Sequence, residues 1–235
     1  MHIPDGIVPA QVCVAGYGLT GLLTWYSLRQ IHKWGNPAPQ IPKASLLTAT
    51  FFVASSIYIP IPPSSVHFLL NGLLGVVLGY FAPLAILVGL FFQALIVGHG
   101  GLTTLGINAV MLGIPALLAH HIFQLRFFSL QWFSRKPTKS DLAGDQPTSH
   151  HVPSTTTTGI FAFLGGALGL ALTAFIFMGI VISTLPASFD VDTERRAVIT
   201  LTLMHLPLAL LEGSFTAMLA VFLQRVKPEL LTEKR

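Results

Sequence analysis

The chain opens Met1-His2-Ile3-Pro4-Asp5-Gly6, with a histidine directly after the start methionine. That placement makes the N-terminus a candidate chelator. The amine of Met1, the backbone nitrogen of His2 and the Nδ1 of its imidazole can hold one ion together, closing a five-membered and a six-membered ring. Three nitrogens in one plane suit square-planar Ni(II), Co(II) or Cu(II), not the tetrahedral arrangement that zinc prefers. One in-plane donor is then missing, and a neutral imidazole fits it. A second-position histidine has little specificity alone, so the rest of the sequence must say whether it is used.

Further residues could serve such an ion, and the leading ones have ordinary roles that compete. His67 follows Pro60-Ile61-Pro62-Pro63-Ser64-Ser65. It either caps a helix end or supplies the missing donor, and the chelate favours the second. His99, in Gly98-His99-Gly100-Gly101-Leu102-Thr103-Thr104, reads as an entry-route or plain loop histidine rather than a partner behind the ligands. Asp5 either orients the His2 imidazole and balances the charge or forms an Asp5-Gly6 turn; both readings stay open. Glu212 lies seven residues after His205 on one helical face. A carboxylate in hydrocarbon must face the bundle interior with a partner, and a structural hydrogen bond outweighs metal contact or proton relay. Asn71, Gln93 and Asn108 are polar candidates from other segments, and Ser65 stands beside His67.

The elements that must position these residues lie in a membrane. Charged residues are 9% of the chain, hydrophobic ones 52%, and mean hydropathy is +0.71, where a soluble protein would be about a quarter charged. Seven spans are expected: Ile7–Leu28, Ala44–Ile59, Val66–Tyr80, Phe81–Gly98, Leu105–Leu125, Gly159–Leu185 and Ala197–Leu223. The fold class is therefore all-α, a bundle of about seven transmembrane helices in a single domain, 1–235. With the N-terminus outside, eleven Lys and Arg fall on the cytoplasmic side and only Arg195 and Arg196 outside, which satisfies the positive-inside rule. The C-terminus is then cytoplasmic. This topology puts His2, His67, His99 and His205 on the outer half, an outward-facing pocket of imidazoles suited to metal capture. No secretory signal precedes the first span, so Met1 is expected to remain. Ser129–Thr158, with His150-His151 and three prolines, reads as a solvated cytoplasmic loop.

Other chemistries find little support. The single Cys13 excludes an internal disulfide and any multi-cysteine metal site. Gly16-Tyr17-Gly18-Leu19-Thr20-Gly21 matches the dinucleotide fingerprint literally but follows no strand; its glycines, like Gly75/Gly79 and Gly165/Gly169, suit close helix packing. The sequence has no P-loop, no His-Glu-x-x-His and no lysine in its last span, and no catalytic dyad at membrane depth, so an enzyme is not expected.

The opening hexapeptide, Ser65-Val66-His67 with Asn71-Gly72-Leu73-Leu74-Gly75, Gly98-His99-Gly100-Gly101-Leu102-Thr103-Thr104-Leu105-Gly106 and His205-Leu206-Pro207-Leu208-Ala209-Leu210-Leu211-Glu212-Gly213 together resemble the CbiM/NikM family. These are the cobalt/nickel substrate-binding subunits of energy-coupling factor transporters. The resemblance implies a seven-helix subunit whose N-terminal segment dips into the pocket, with the ion held by Met1, His2 and His67. It implies as partners a transmembrane coupling protein, two ATP-binding subunits and a small accessory membrane subunit, the last expected to be separate or missing. Co(II) or Ni(II) is cargo rather than cofactor, and the location is the cytoplasmic (inner) membrane, supplying cobalamin synthesis or nickel enzymes. A rival reading is a stand-alone proton-coupled metal carrier using Glu212 and His205. Binding must release protons, so affinity is expected to fall below about pH 6.5, the unperturbed histidine pKa.

Overall fold

A computed structural model describes residues 2–33, 35–61, 64–133, 153–185 and 190–231. It is mostly helical. Among the described residues the order is α1 (Ala10–Lys33), α2 (Ile41–Ser55), β1 (Tyr58–Ile61), β2 (Ser64–His67), α3 (Asn71–Leu78), α4 (Ala82–Phe92), α5 (Leu105–Phe133), α6 (Thr155–Thr184) and α7 (Val191–Val226). Among the described residues four helical stretches have the length and composition to cross a membrane: Asn71–Val97, Leu105–Phe127, Thr155–Thr184 and Val191–Val226. The long helices are apolar outside and polar within. α7 exposes Leu203, Leu210, Leu211, Met218 and Phe222 while burying Thr202, His205, Glu212 and Thr216, the arrangement lipid demands.

The stretch Asn71–Val97 is not one rod. Straight, it would be about 40 Å long at 1.5 Å per residue, yet His67 before it and His99 after it have ring centroids 5.3 Å apart. The chain reverses at Gly79, whose φ of +59° ends α3 in a conformation L side chains rarely adopt. A short 3-10 turn, Gly79–Phe81, follows, and Pro83 opens α4 within its first turn, where its missing N–H is harmless. α3 and α4 therefore form a helical hairpin with both outer ends at one place.

The sequence expectation of an all-α chain needs correction at that place. Val66 and His67 do not begin a span, and Tyr58 and Ile59 do not end one. They lie in an antiparallel β-hairpin with register Tyr58↔His67, Ile59↔Val66, Pro60↔Ser65 and Ile61↔Ser64. Other boundaries also move. α1 runs five residues beyond Leu28, and α7 starts at Val191, where Asp190 caps it by accepting from the Thr193 amide. Ser129–Phe133 and Thr155–Thr158 are helical rather than loop, with Ser154 as N-cap of α6. His150-His151 lie outside the described residues.

Small residues set the helix spacing. A Cβ on Gly16 would meet the backbone of Ile107 at 2.6 Å, and one on Gly169 would meet Gly72 at 2.7 Å; Gly75 lies directly against the Ala116 carbonyl. These contacts join α1 to α5, α3 to α6 and α3 to α5, as expected of small residues in lipid. Gly18 and Gly21 have nothing near them, so only one of the three fingerprint glycines packs. Asn71 pins the same junction, its Nδ2 donating to the Leu112 and Gly169 carbonyls and to Thr173 Oγ1.

Candidate metal centre

Three segments converge at the end of the bundle where α5 begins. The N-terminal strand is held by Asn108 of α5, which accepts from the Ile3 amide at 2.9 Å and donates to the Ile3 carbonyl at 3.0 Å. Thr104 adds a hydrogen bond from its hydroxyl to the same carbonyl, 2.7 Å. A backbone held on both its donor and acceptor sides has its register fixed, so the neighbouring His2 is presented inward. Asp5 then ties the strand to the 98–104 loop, accepting from Thr103 Oγ1 (2.5 Å) and from the Thr104 amide (3.1 Å). These donors, Thr103 first, hold the Asp5 carboxyl below the usual range. Gly101 passes directly against that carboxylate, where a Cβ would collide with it.

Asp5 thus docks the segment and also sits in a turn with Gly6, whose φ is +85°. Neither nitrogen of the buried His2 imidazole has a hydrogen-bond partner among the described residues. Of the open readings of Asp5, the structure therefore shows the turn and no hydrogen bond from its carboxylate to that ring. Tyr17 of α1 fastens the loop by donating to the Leu102 carbonyl, and Thr20 donates to the Gly106 carbonyl at 2.6 Å.

His67 and His99 meet His2 from the other two segments. The rings of His2 and His67 lie 5.1 Å apart and nearly parallel; His99 stands edge-on to both, at 4.8 and 5.3 Å. One nitrogen from each lies within 4.8 Å of the others. Donors about 2 Å from a shared ion lie at most about 4 Å apart, so a shift of about an ångström closes the set. His99 is thereby corrected: it belongs to the cluster rather than to an ordinary loop. The β-hairpin makes this possible. Tyr58, directly across from His67, hydrogen-bonds His99 Nδ1 at 2.7 Å, and the buried Nε2 has no partner among the described residues. Fixing one ring nitrogen aims the other, the usual support for a metal-binding histidine.

Burial is the leading influence on all three imidazoles, because it penalises the charged ring. It pulls His99 down to about 4 and His67 to about 2, and holds His2 well below the ordinary 6.5. Three neutral imidazoles, packed where water is scarce, are nitrogen donors in the form a cation needs.

The remaining expected residues fall behind this cluster. His205 brings its ring within 6.4 Å of His67; its Nδ1 lies 2.8 Å from the Leu201 carbonyl and its buried Nε2 has no partner among the described residues. Glu212 meets backbone amides after His67 rather than a side chain. Ser65 sits in β2 opposite Pro60, and Met1 lies outside the described residues. Tyr58 escaped the sequence reading. Its signal is the pair of short runs Tyr58-Ile59-Pro60-Ile61 and Ser64-Ser65-Val66-His67 around Pro62-Pro63, a hairpin pattern overlooked beside the membrane spans.

A family model described as "Cobalt uptake substrate-specific transmembrane region" matches residues 2–230. The chain is 29% identical to the "Putative cobalt transport protein CbiM" of Methanocaldococcus jannaschii, over 98% of this chain and 90% of that one. It is 27% identical to the "Putative fused nickel transport protein NikMN" of Archaeoglobus fulgidus, over 100% of this chain and 69% of that protein. A crystal structure of a transition metal transporter superposes with a TM-score of 0.63 at 19% identity, covering 96% of this chain and 93% of that one, a likeness of fold.

Proposed function

This chain belongs to the CbiM family, the substrate-specific membrane component of cobalt or nickel uptake, and from that premise we propose how it takes its ion. Ni(II) or Co(II) is captured where the N-terminal strand, the β-hairpin and the 98–104 loop meet. The observation carrying this reading is the cluster of His2, His67 and His99, with donors inside 4.8 Å of one another. The Met1 amine, the His2 amide and imidazole nitrogens and the His67 imidazole supply the plane, and His99 approaches from outside it.

Exchange of hydration water for four or five nitrogens favours late first-row ions. Copper outranks both substrates in intrinsic affinity, so selectivity comes from geometry and supply. An amide nitrogen leans toward nickel, and the family includes both metals. Ligand deprotonation makes capture a proton-releasing step.

Orientation follows the charge bias, with the N-terminus outside the cytoplasmic membrane and the C-terminus within. α5 supports this as a ruler. Asn108, near the cluster, and Arg126, which donates to the Leu231 carbonyl at 2.9 Å, are eighteen residues or about 27 Å apart. The separation of Ile3, held by Asn108, from Leu231, held by Arg126, along α5 supports that reading. We further propose that the subunit works in an energy-coupling factor assembly with a transmembrane coupling protein, two ATP-binding subunits and a small accessory membrane subunit. ATP hydrolysis resides in those partners.

Titration of the purified chain with Ni(II) and Co(II) by calorimetry tests the capture step. His2→Ala and His67→Ala should each weaken binding at least a hundredfold. Binding that survives either substitution unchanged would remove the site.

A further inference from the structure

We infer that Glu212 is a positioning residue for the metal site: its carboxylate, carried by α7, grips the backbone immediately after His67 and so fixes where that imidazole stands. This rests on the metal-capture reading above. Oε1 accepts from the Leu69 amide at 2.5 Å and Oε2 from the Leu70 amide at 3.0 Å. Glu212, Leu69 and Leu70 are all buried.

Leu70 explains why such a grip is needed. Its φ is +49°, the one positive value at a non-glycine residue among those described. For a branched side chain the left-handed region is unfavourable, and it persists only where neighbours hold it. Leu70 also precedes α3 and has no side-chain cap from its own segment. The amides at a helix N-terminus lack intrahelical acceptors. Here a carboxylate more than 140 residues later accepts from the amide of that cap residue and from the amide just before it, at the positive end of the helix dipole.

The grip begins two residues from the ligand. His67 ends β2, where its backbone is paired with Tyr58, and the chain is seized again at Leu69. Between these points only Phe68 intervenes, so the imidazole has little freedom to move with its backbone. α7 touches the same place a second time through His205, whose ring lies 6.4 Å from that of His67. A glutamine at 212 would not substitute. Its side chain offers one acceptor oxygen and would turn an NH2 donor toward the second amide.

A double-mutant cycle on the full chain with its native N-terminus tests the inference, with Ni(II) as probe. Glu212→Gln should weaken Ni(II) at least tenfold in the native background and less than twofold in a His67→Ala background. Adding Leu70→Gly to Glu212→Gln should restore at least threefold, since glycine adopts the left-handed turn without help. Coupling is reciprocal, so Ni(II) should also slow hydrogen exchange of the Leu69 and Leu70 amides in the unsubstituted chain, a readout that needs no variant to fold. Equal losses in both backgrounds, native affinity in Glu212→Gln, or amide exchange indifferent to Ni(II) would each overturn it. Failure of the unsubstituted chain to bind Ni(II) overturns the capture reading and this inference together, whereas normal binding with uniform losses overturns this inference alone.

Discussion

Tyr58 and His99 show how one hydrogen bond divides the two nitrogens of an imidazole between support and chemistry. With Nδ1 engaged by the phenol, Nε2 is the atom left for the cluster. Removing the hydroxyl leaves the ring packing but frees its rotation. Tyr58→Phe should therefore cost about 1 kcal/mol of metal binding, close to fivefold, and His99→Ala about tenfold; calorimetry separates the two. The pH dependence follows from the same burial. A ring whose folded pKa is lowered stays neutral while the unfolded chain takes up protons below about 6.5. Stability is thus complete above about 6.5 and is lost as pH falls toward the folded value, about 4 for His99. The thermal midpoint in detergent should drop between pH 7.5 and pH 5, and less so in His99→Ala. For metal affinity the same burial alters the expectation drawn from the sequence. Imidazole protonation should not limit it near 6.5, and the decline between pH 8 and 6 should track the Met1 amine, ordinarily near 8; His99→Ala should change that curve only below about pH 5.

The N-terminal segment forms neither helix nor sheet of its own, so its placement depends on burial of Ile3 and on a few polar contacts. Asn108 makes two hydrogen bonds to Ile3, and Asp5 depends on the bare surface of Gly101. Asn108→Leu should release the strand and weaken Ni(II) binding thirtyfold to a hundredfold, equivalent to about 2–3 kcal/mol, while circular dichroism stays helical. Gly101→Ala should do the same more mildly, about tenfold. These elements also mark what was legible beforehand. His2 and His67 could be read because a second-position histidine has its own coordination chemistry, and the long apolar runs of α5, α6 and α7 declare themselves by length. The hairpin left only a faint mark. Four-residue strands, interrupted by Pro60, carry too little periodicity to stand out from the ends of apolar spans. His99 was underweighted because its role arises from a reversal at Gly79, a backbone event twenty residues away. Glu212 was recognisable as a buried charge needing a partner, but backbone amides leave no mark in a sequence.

At the scale of the whole molecule, several glycines set how closely the helices pack. Gly16, Gly72, Gly75 and Gly169 lie against neighbouring backbones and so are not free faces for a partner to slide on; Gly75→Leu should prevent α3 from reaching α5 and lower the yield of folded protein, read by size-exclusion chromatography. The exposed apolar faces of α1 and α7 face outward, where lipid or the coupling protein would lie. In vesicles holding this chain alone, no sustained concentrative Ni(II) uptake is expected at any proton gradient. Uptake abolished by Glu212→Gln under those conditions would favour the proton-coupled carrier instead.

All of this depends on a free amine beside His2. Isothermal calorimetry with Ni(II) on two forms of the chain, one with a free Met1 amine and one acetylated there, measures that dependence directly. The acetylated form keeps every imidazole and loses the amine nitrogen with its five-membered ring, so its affinity should fall at least a hundredfold. Equal affinity in the two forms would mean that the first residue does not hold the ion.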